Sequence, residues 1–132
     1  MRNEFRDRFY AELNARHVDV LLCPADALAA IPHGASRYLG DALSYTAIYS
    51  LLGMPAGVVS FSRVREDEVS DRPRSFDLAE RAAAKAEQGT AGLPVGVQVV
   101  ARHWREDVAL AVMSALEERY RDKSEYPGEA PW

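Results

Sequence analysis

"GLPVGVQVVARHWRED", residues 92–107, is the stretch on which the fold turns. Val95, Val97, Val99, Val100 and Ala101 put apolar side chains on both faces of an extended run. A half-solvated strand alternates apolar and polar residues, whereas a run this continuous belongs to a strand covered from both sides. The pattern predicts a strand over 93–101, a turn at His103 and Trp104, and a helix from Arg105 to about Arg121. Leu110, Met113, Leu116 and Tyr120 mark the expected buried face of that helix.

Upstream, Phe5, Phe9, Tyr10 and Leu13 recur at helical spacing among charges, which predicts an amphipathic helix over 2–16. "VDVLLCP" is a short apolar run stopped by Pro24, a strand over about 18–23. Residues 24–41, with two prolines and two glycines, form an irregular connection. "DALSYTAIYSLLG" predicts a helix over 41–52, with Asp41 as N-cap, Gly53 as C-terminal cap and Pro55 preventing continuation. "AGVVSF" is a strand over 56–61, and "SRVREDEVSDRPRS" is an exposed charged loop. The alanine-rich "FDLAERAAAKAEQG" predicts a helix over 77–88. Residues 1–121 then read as one unit and 122–132 as a loose tail.

The order of elements is helix, strand, helix, strand, helix, strand, helix, an α/β layered architecture of three strands and four helices. Three strands apolar on both faces suit the middle of a wider sheet, since a three-stranded sheet by itself leaves two open edges. Two readings follow: part of something larger, or a small domain whose edges are covered by its own loops or by a second copy.

With 132 residues, 48% apolar and 27% charged, the chain is one soluble globular unit at most. A net charge of −4 argues against a nucleic-acid partner, because phosphate binding needs a basic face. Cys23 is the only cysteine, so no internal disulfide forms, which fits a reducing compartment. There is no apolar run long enough for a membrane span and no secretory leader pattern, and the expected location is the cytoplasm.

The residues carry little recognisable chemistry. No serine sits in a Gly-x-Ser-x-Gly elbow or three residues before Lys85 or Lys123. His17, His33 and His103 are far apart and lack metal-ligand spacing, so no metal site is expected. Glu66, Asp67, Glu68 and Asp71 read as a solvated acidic loop, and Cys23 as a structural cysteine. A hydrolase built on Cys23 stands as a minor competing idea, needing a histidine in hydrogen-bond reach. The glycines do not build a dinucleotide loop, and no cofactor is expected.

Taken together, "VDVLLCP", "SYTAIYSLLGMPAGVV" and "GLPVGVQVVARHWREDVALAVMSALEE" resemble the C-terminal part of amidase signature enzymes, in that family's order, over about Arg2 to Glu118. The resemblance is nearest to the fatty acid amide hydrolase branch. It implies a mixed sheet flanked by helices and hydrolysis of an amide bond. It also implies a serine nucleophile, a second serine in a cis peptide and a lysine base, held in a glycine- and serine-rich signature and a segment further upstream. This sequence has no such signature, and neither lysine has the matching context, so no catalytic residue carries over. The chain is therefore expected to be a C-terminal segment, inactive alone, that begins past those three residues.

In that branch the helix matching residues 41–52 lines the acyl channel. The resemblance implies substrate-binding roles for Leu43 and Ala47, with Gly40 just before the helix, although the same spacing serves ordinary packing. Tyr45 and Tyr49 are read as packing residues. Pro55, Gly57, Pro94, Gly96 and Gln98 resemble scaffold positions, and Gln98, if buried, needs hydrogen-bond partners. The expected partners are the missing N-terminal part of an amidase or a second copy of the chain, with an apolar acyl amide as substrate only in a complete enzyme. The competing expectation is a non-catalytic binding or self-association module on the same scaffold.

Overall fold

The computed structural model of the chain describes residues 2–128, apart from the side chains of Arg2 and Leu43. Its helices are α1 (Arg2–Ala15), α2 (Ser44–Leu52), α3 (Leu78–Glu87) and α4 (Glu106–Tyr120). Its strands are β1 (Val20–Pro24), β2 (Ala56–Arg63) and β3 (Pro94–Ala101), in the alternating order expected of the α/β class.

The strands form one sheet in the order β1-β3-β2, and both pairings are antiparallel. The last strand in sequence is thus the middle strand in space. Val99 stands opposite both Leu22 and Gly57, and Gln98 opposite both Cys23 and Val58. Since side chains alternate along a strand, Val97, Val99 and Ala101 share one face with Leu22, Gly57 and Val59. Gly96, Gln98 and Val100 share the other with Leu21, Cys23 and Val58.

Each face is half covered. α4 packs across β2 and β3 on the first face. On the second, Leu13 of α1, Leu52 of α2 and Met54 gather with Val100, flanked by Phe9, Leu21, Cys23, Ile48 and Tyr49. This corrects the expectation that all three strands are enclosed. Leu22 on β1 stays 55% exposed because α4 does not reach it, and Val58 on β2 stays 52% exposed because α1 and α2 lie over the other edge. Only β3 has helices on both sides, and its residues Gln98 to Ala101 are all buried.

Where helices begin and end differs instructively from the sequence pattern. The segment expected as a helix from Asp41 winds first as a 3-10 turn, Gly40–Leu43, and becomes α-helical at Ser44. Asp41 lies inside that turn instead of capping it. Leu39 explains the tight winding. It is buried with Ala83 and Ala86 of α3, in a cluster apart from the one that holds Leu52, so the chain must change course between them. Gly53 ends α2 as expected, at φ 68°. Its N–H donates to Ser50 O at 3.2 Å and that of Met54 to Tyr49 O at 3.0 Å, a Schellman closure. Asp77 caps α3, its carboxylate accepting from Ala79 N and Glu80 N at 2.7 and 3.1 Å.

On α4 the buried position is Ala109, 4% exposed, whereas Leu110, expected inside, is 63% exposed. The reason lies on the sheet. A Cβ built at Gly57 would stand 2.5 Å from Met113 Sδ, so helix and strand meet at van der Waals distance and a small residue is needed at the contact. The charged insert is better anchored than a free loop. Val64 continues the ladder toward Leu93 and Gly92, at 2.9 and 2.8 Å. Arg72 reaches α3 and binds Glu87 and Glu80 at 2.7 and 2.8 Å. Of the expected loose tail, residues 122–126 form turns that return Tyr126 N–H to Lys123 O at 3.0 Å, and 129–132 lie outside the described residues.

Gly57→Ala is expected to destabilise the chain by about 1–3 kcal/mol, the range for overpacking a tight contact. Because Met113 is a flexible side chain, adding Met113→Ala should return part of that loss. Urea unfolding of both variants checks it, and a silent Gly57→Ala would mean that α4 does not seat on β2 as described.

Candidate functional site

The residues matched to an acyl channel lie around the start of α2. Gly40 opens the 3-10 turn at the surface, and a Cβ built there meets nothing within 4 Å. Ala47 is exposed on α2. The side chain of Leu43 lies outside the described residues. One turn beyond Ala47, Leu51 is 55% exposed, so this flank of α2 is apolar and open. The opposite flank holds Ile48, Tyr49 and Leu52 against the core. Tyr49 thus packs as expected, whereas Tyr45 points outward, because it lies on neither core-facing turn of the helix.

Beneath α2 lies a small polar cluster. Gln98, the buried amide of the middle strand, accepts a hydrogen bond from the Cys23 thiol at 3.4 Å. The two residues stand opposite one another across β1 and β3, which is why they meet. Burial first, and then a hydrogen bond and charge interaction with Cys23, together push the Tyr49 phenol from 10.0 up to about 12. A thiol held between an amide and a neutral phenol has no general base among these partners, so the cluster is structural.

The histidines stay apart. His103 Nδ1 lies 2.5 Å from Gly53 O and its ring meets Trp104 edge-on, which pins the β3–α4 turn to the end of α2. His17 sits at φ 53° in the turn after α1. Among the described residues no group of three or more His, Cys, Asp or Glu side chains is placed to hold a metal. Arg65 answers the acidic run, binding Glu68 at 2.7 Å and Asp67 at 3.5 Å. Arg102 is also structural: Nε and Nη2 donate to Val18 O at 3.1 and 2.6 Å, tying the end of β3 to the entry of β1.

Two open hollows flank α3, of about 520 and 630 Å³. Arg81 and Lys85, one helical turn apart, stand on the wall of both. Sequence reasoning considered Lys85 only as a catalytic base and passed over Arg81. Their i, i+4 spacing beside Ala82 and Ala86 was the available signal, but the opposite wall, residues 32–38, is irregular and left no pattern to read. None of Gly40, Ala47, Cys23 or Gln98 lines either hollow.

The antiparallel sheet and its flanking helices make a mixed α/β unit, and comparison with known proteins gives its family. The Amidase family profile matches residues 1–110. Fatty acid amide hydrolase 1 of Caenorhabditis elegans is 34% identical over 116 residues, covering 86% of this chain and 20% of that protein. Fatty-acid amide hydrolase 1 of Sus scrofa is 34% identical over 117 residues, with the same coverage of 86% and 20%. An amidase of Gibberella moniliformis is 26% identical over 114 residues, covering 86% of this chain and 19% of its own. The chain belongs to the Amidase family. It spans about a fifth of the length of these relatives. Among the described residues no helix is long and apolar enough to cross a membrane.

The Tyr49 cluster gives a pH signature. A phenol whose folded value is raised keeps its contribution to stability below 10.0 and loses it as pH climbs toward about 12, since the unfolded chain ionises first. The free energy of unfolding measured across that interval should fall more steeply for the native chain than for Tyr49→Phe. Parallel curves would remove Tyr49 from the buried cluster.

Proposed function

We propose that the chain acts as the C-terminal segment of an amide hydrolase, supplying part of the acyl-binding wall while the serine and lysine machinery comes from sequence outside these 132 residues. The observation that carries this reading is the open apolar flank of α2 at Ala47 and Leu51, on the helix whose sequence resembles the channel helix of the fatty acid amide hydrolase branch. Support also comes from the half-covered sheet, which leaves Leu22 and Val58 without helices over them. Buried, each such side chain is worth about 1.5–3 kcal/mol, a driving force for docking further structure.

In this reading Gly40, Leu43 and Ala47 touch the acyl part of the substrate. The substrate is an amide with an apolar acyl group, after the names of the two 34%-identical relatives. The polypeptide that completes the site is the catalytic N-terminal part of an amidase, the reaction needs no cofactor, and the setting is the cytoplasm. In this reading the described residues offer neither a nucleophile beside a base nor an oxyanion site, and the chain alone forms no acyl-enzyme. A self-association module is the second reading, favoured by the free edges of β1 and β2.

Co-expression with a fatty acid amide hydrolase deleted for its matching segment is the test. The isolated chain should not release fatty acid from a fatty acid amide, and the pair should. Ala47→Trp should then raise KM for long acyl chains by about tenfold, the scale of a filled apolar subsite. Absence of turnover with a compact dimer in sedimentation would favour the self-association module. Turnover by the isolated chain would overturn both readings.

A further inference from the structure

We infer that Ser75 is a phosphorylation site whose phosphoryl group comes to rest in the cation-lined hollow between the charged insert and α3. This does not depend on the amide-hydrolase reading. The serine lies in "RPRSF", residues 72–76, with arginines three and one residues before it and an apolar ring directly after it. A serine kinase with an acidic substrate groove reads such a charge pattern along an extended chain. Residues 71–75 belong to no helix or strand, Ser75 is half-buried, and Phe76 beside it is fully exposed. Ser75 Oγ accepts from Asp77 N at 3.1 Å, and among the described residues its proton has no acceptor. Two other serines are less suited. Ser70, in the same insert, gives its hydroxyl proton to Glu87 at 2.5 Å. Ser124 follows Arg121 and Lys123 but is succeeded by Glu125, which an acidic groove repels.

The hollow gives the phosphate a place to stay. It holds about 630 Å³, and Ser75 lines it together with Arg72, Arg74, Glu80, Arg81 and Lys85. Arg72 takes both carboxylates of α3, Glu80 and Glu87, at 2.8 and 2.7 Å, and Asp77 spends its carboxylate on Ala79 N and Glu80 N. Arg74, Arg81 and Lys85 are left without an ion-pair partner among the described residues. Arg81 and Lys85, four apart, lie on one side of α3. In the transfer, Ser75 Oγ attacks the γ-phosphorus of a nucleoside triphosphate held with magnesium by the kinase, whose catalytic carboxylate takes the hydroxyl proton. The Oγ–P bond forms, the bond from that phosphorus to the bridging oxygen breaks, and the nucleoside diphosphate leaves with the electron pair. The product carries a charge of about −1.5 to −2 and three acceptor oxygens, which form charge-assisted hydrogen bonds with facing cations. It thereby ties the insert to α3 through Arg81 and Lys85.

The test is to incubate the full 132-residue chain with magnesium, ATP and a serine kinase that selects arginine three residues before its acceptor, then map the product by mass spectrometry. One phosphoryl group per chain is expected, on Ser75, and none on Ser75→Ala. The phosphate is then titrated by phosphorus NMR. Its second ionisation, at about 6 in a free phosphoserine, should fall by about one pH unit in the native chain, because facing cations favour the dianion. Arg81→Met/Lys85→Met keeps residues 72–76 intact, so it should still be phosphorylated, and with native circular dichroism its phosphate should titrate near the free value. The proposal is overturned if the folded chain leaves Ser75 unmodified, whether or not a free peptide of residues 68–80 accepts the group, or if Ser124 accepts it instead. Equal titration in the native chain and the double variant overturns it too, because the phosphate would then stand in solvent. If Ser75 stays unmodified and inorganic phosphate saturates Arg81 and Lys85, the cations serve a free anion and the proposal falls.

Discussion

β3 is the strand on which the rest of this structure depends. It is hydrogen-bonded along both edges and covered on both faces, and Val99, Val100 and Ala101 have no exposed surface. Every other layer touches it: α4 from one side, α1 and α2 from the other, and β1 and β2 laterally. Gln98 sits in this strand, the one amide in its buried half, and its carbonyl oxygen accepts from the cysteine opposite. An unpaired amide at that depth costs about 1–3 kcal/mol, so Cys23 owes its place to Gln98 rather than to nucleophilic chemistry.

The same arrangement explains what is left open. Because α4 leans toward β2 and the α1–α2 pair toward β1, each edge strand has one bare face. Leu22 and Val58 expose their side chains on opposite faces of the sheet. The open flank of α2 adds Ala47 and Leu51. These features agree with a chain that spans about a fifth of its Amidase relatives, and they lie where further structure can pack. Helix α3 is organised separately: it buries Ala83 and Ala86 against Leu39, gives its two carboxylates to Arg72, and so isolates Arg81 and Lys85 at the edge of an apolar hollow.

Much of this was legible in the residues, and the misses have a common cause. All seven regular elements lie where periodicity and turn residues put them, and Gly53 closes α2 in the positive-φ conformation that its position called for. The errors arose where one segment answers to two cores. Asp41 has the chemistry of an N-cap, yet Leu39 is drawn into the α3 cluster and tightens that turn into a 3-10 form. Leu110 fits a helical stripe, yet α4 seats Met113 on the bare Cα of Gly57 and buries Ala109, leaving Leu110 outside. Arg81 carries no signal in the sequence, because the partner that takes both carboxylates of its helix, Arg72, lies outside that helix.

The sequence by itself determined the local elements, the α/β class and the kinship with amidases, because these rest on spacing within short windows and on runs such as "GLPVGVQVVA". Only the tertiary structure decided that β3 is the middle strand, that each edge strand keeps one face bare, and that Arg72 takes both carboxylates of α3. Those outcomes depend on which distant residues meet, Val99 with Leu22 and Gly57, Arg72 with Glu80 and Glu87, and spacing along a chain does not carry that information.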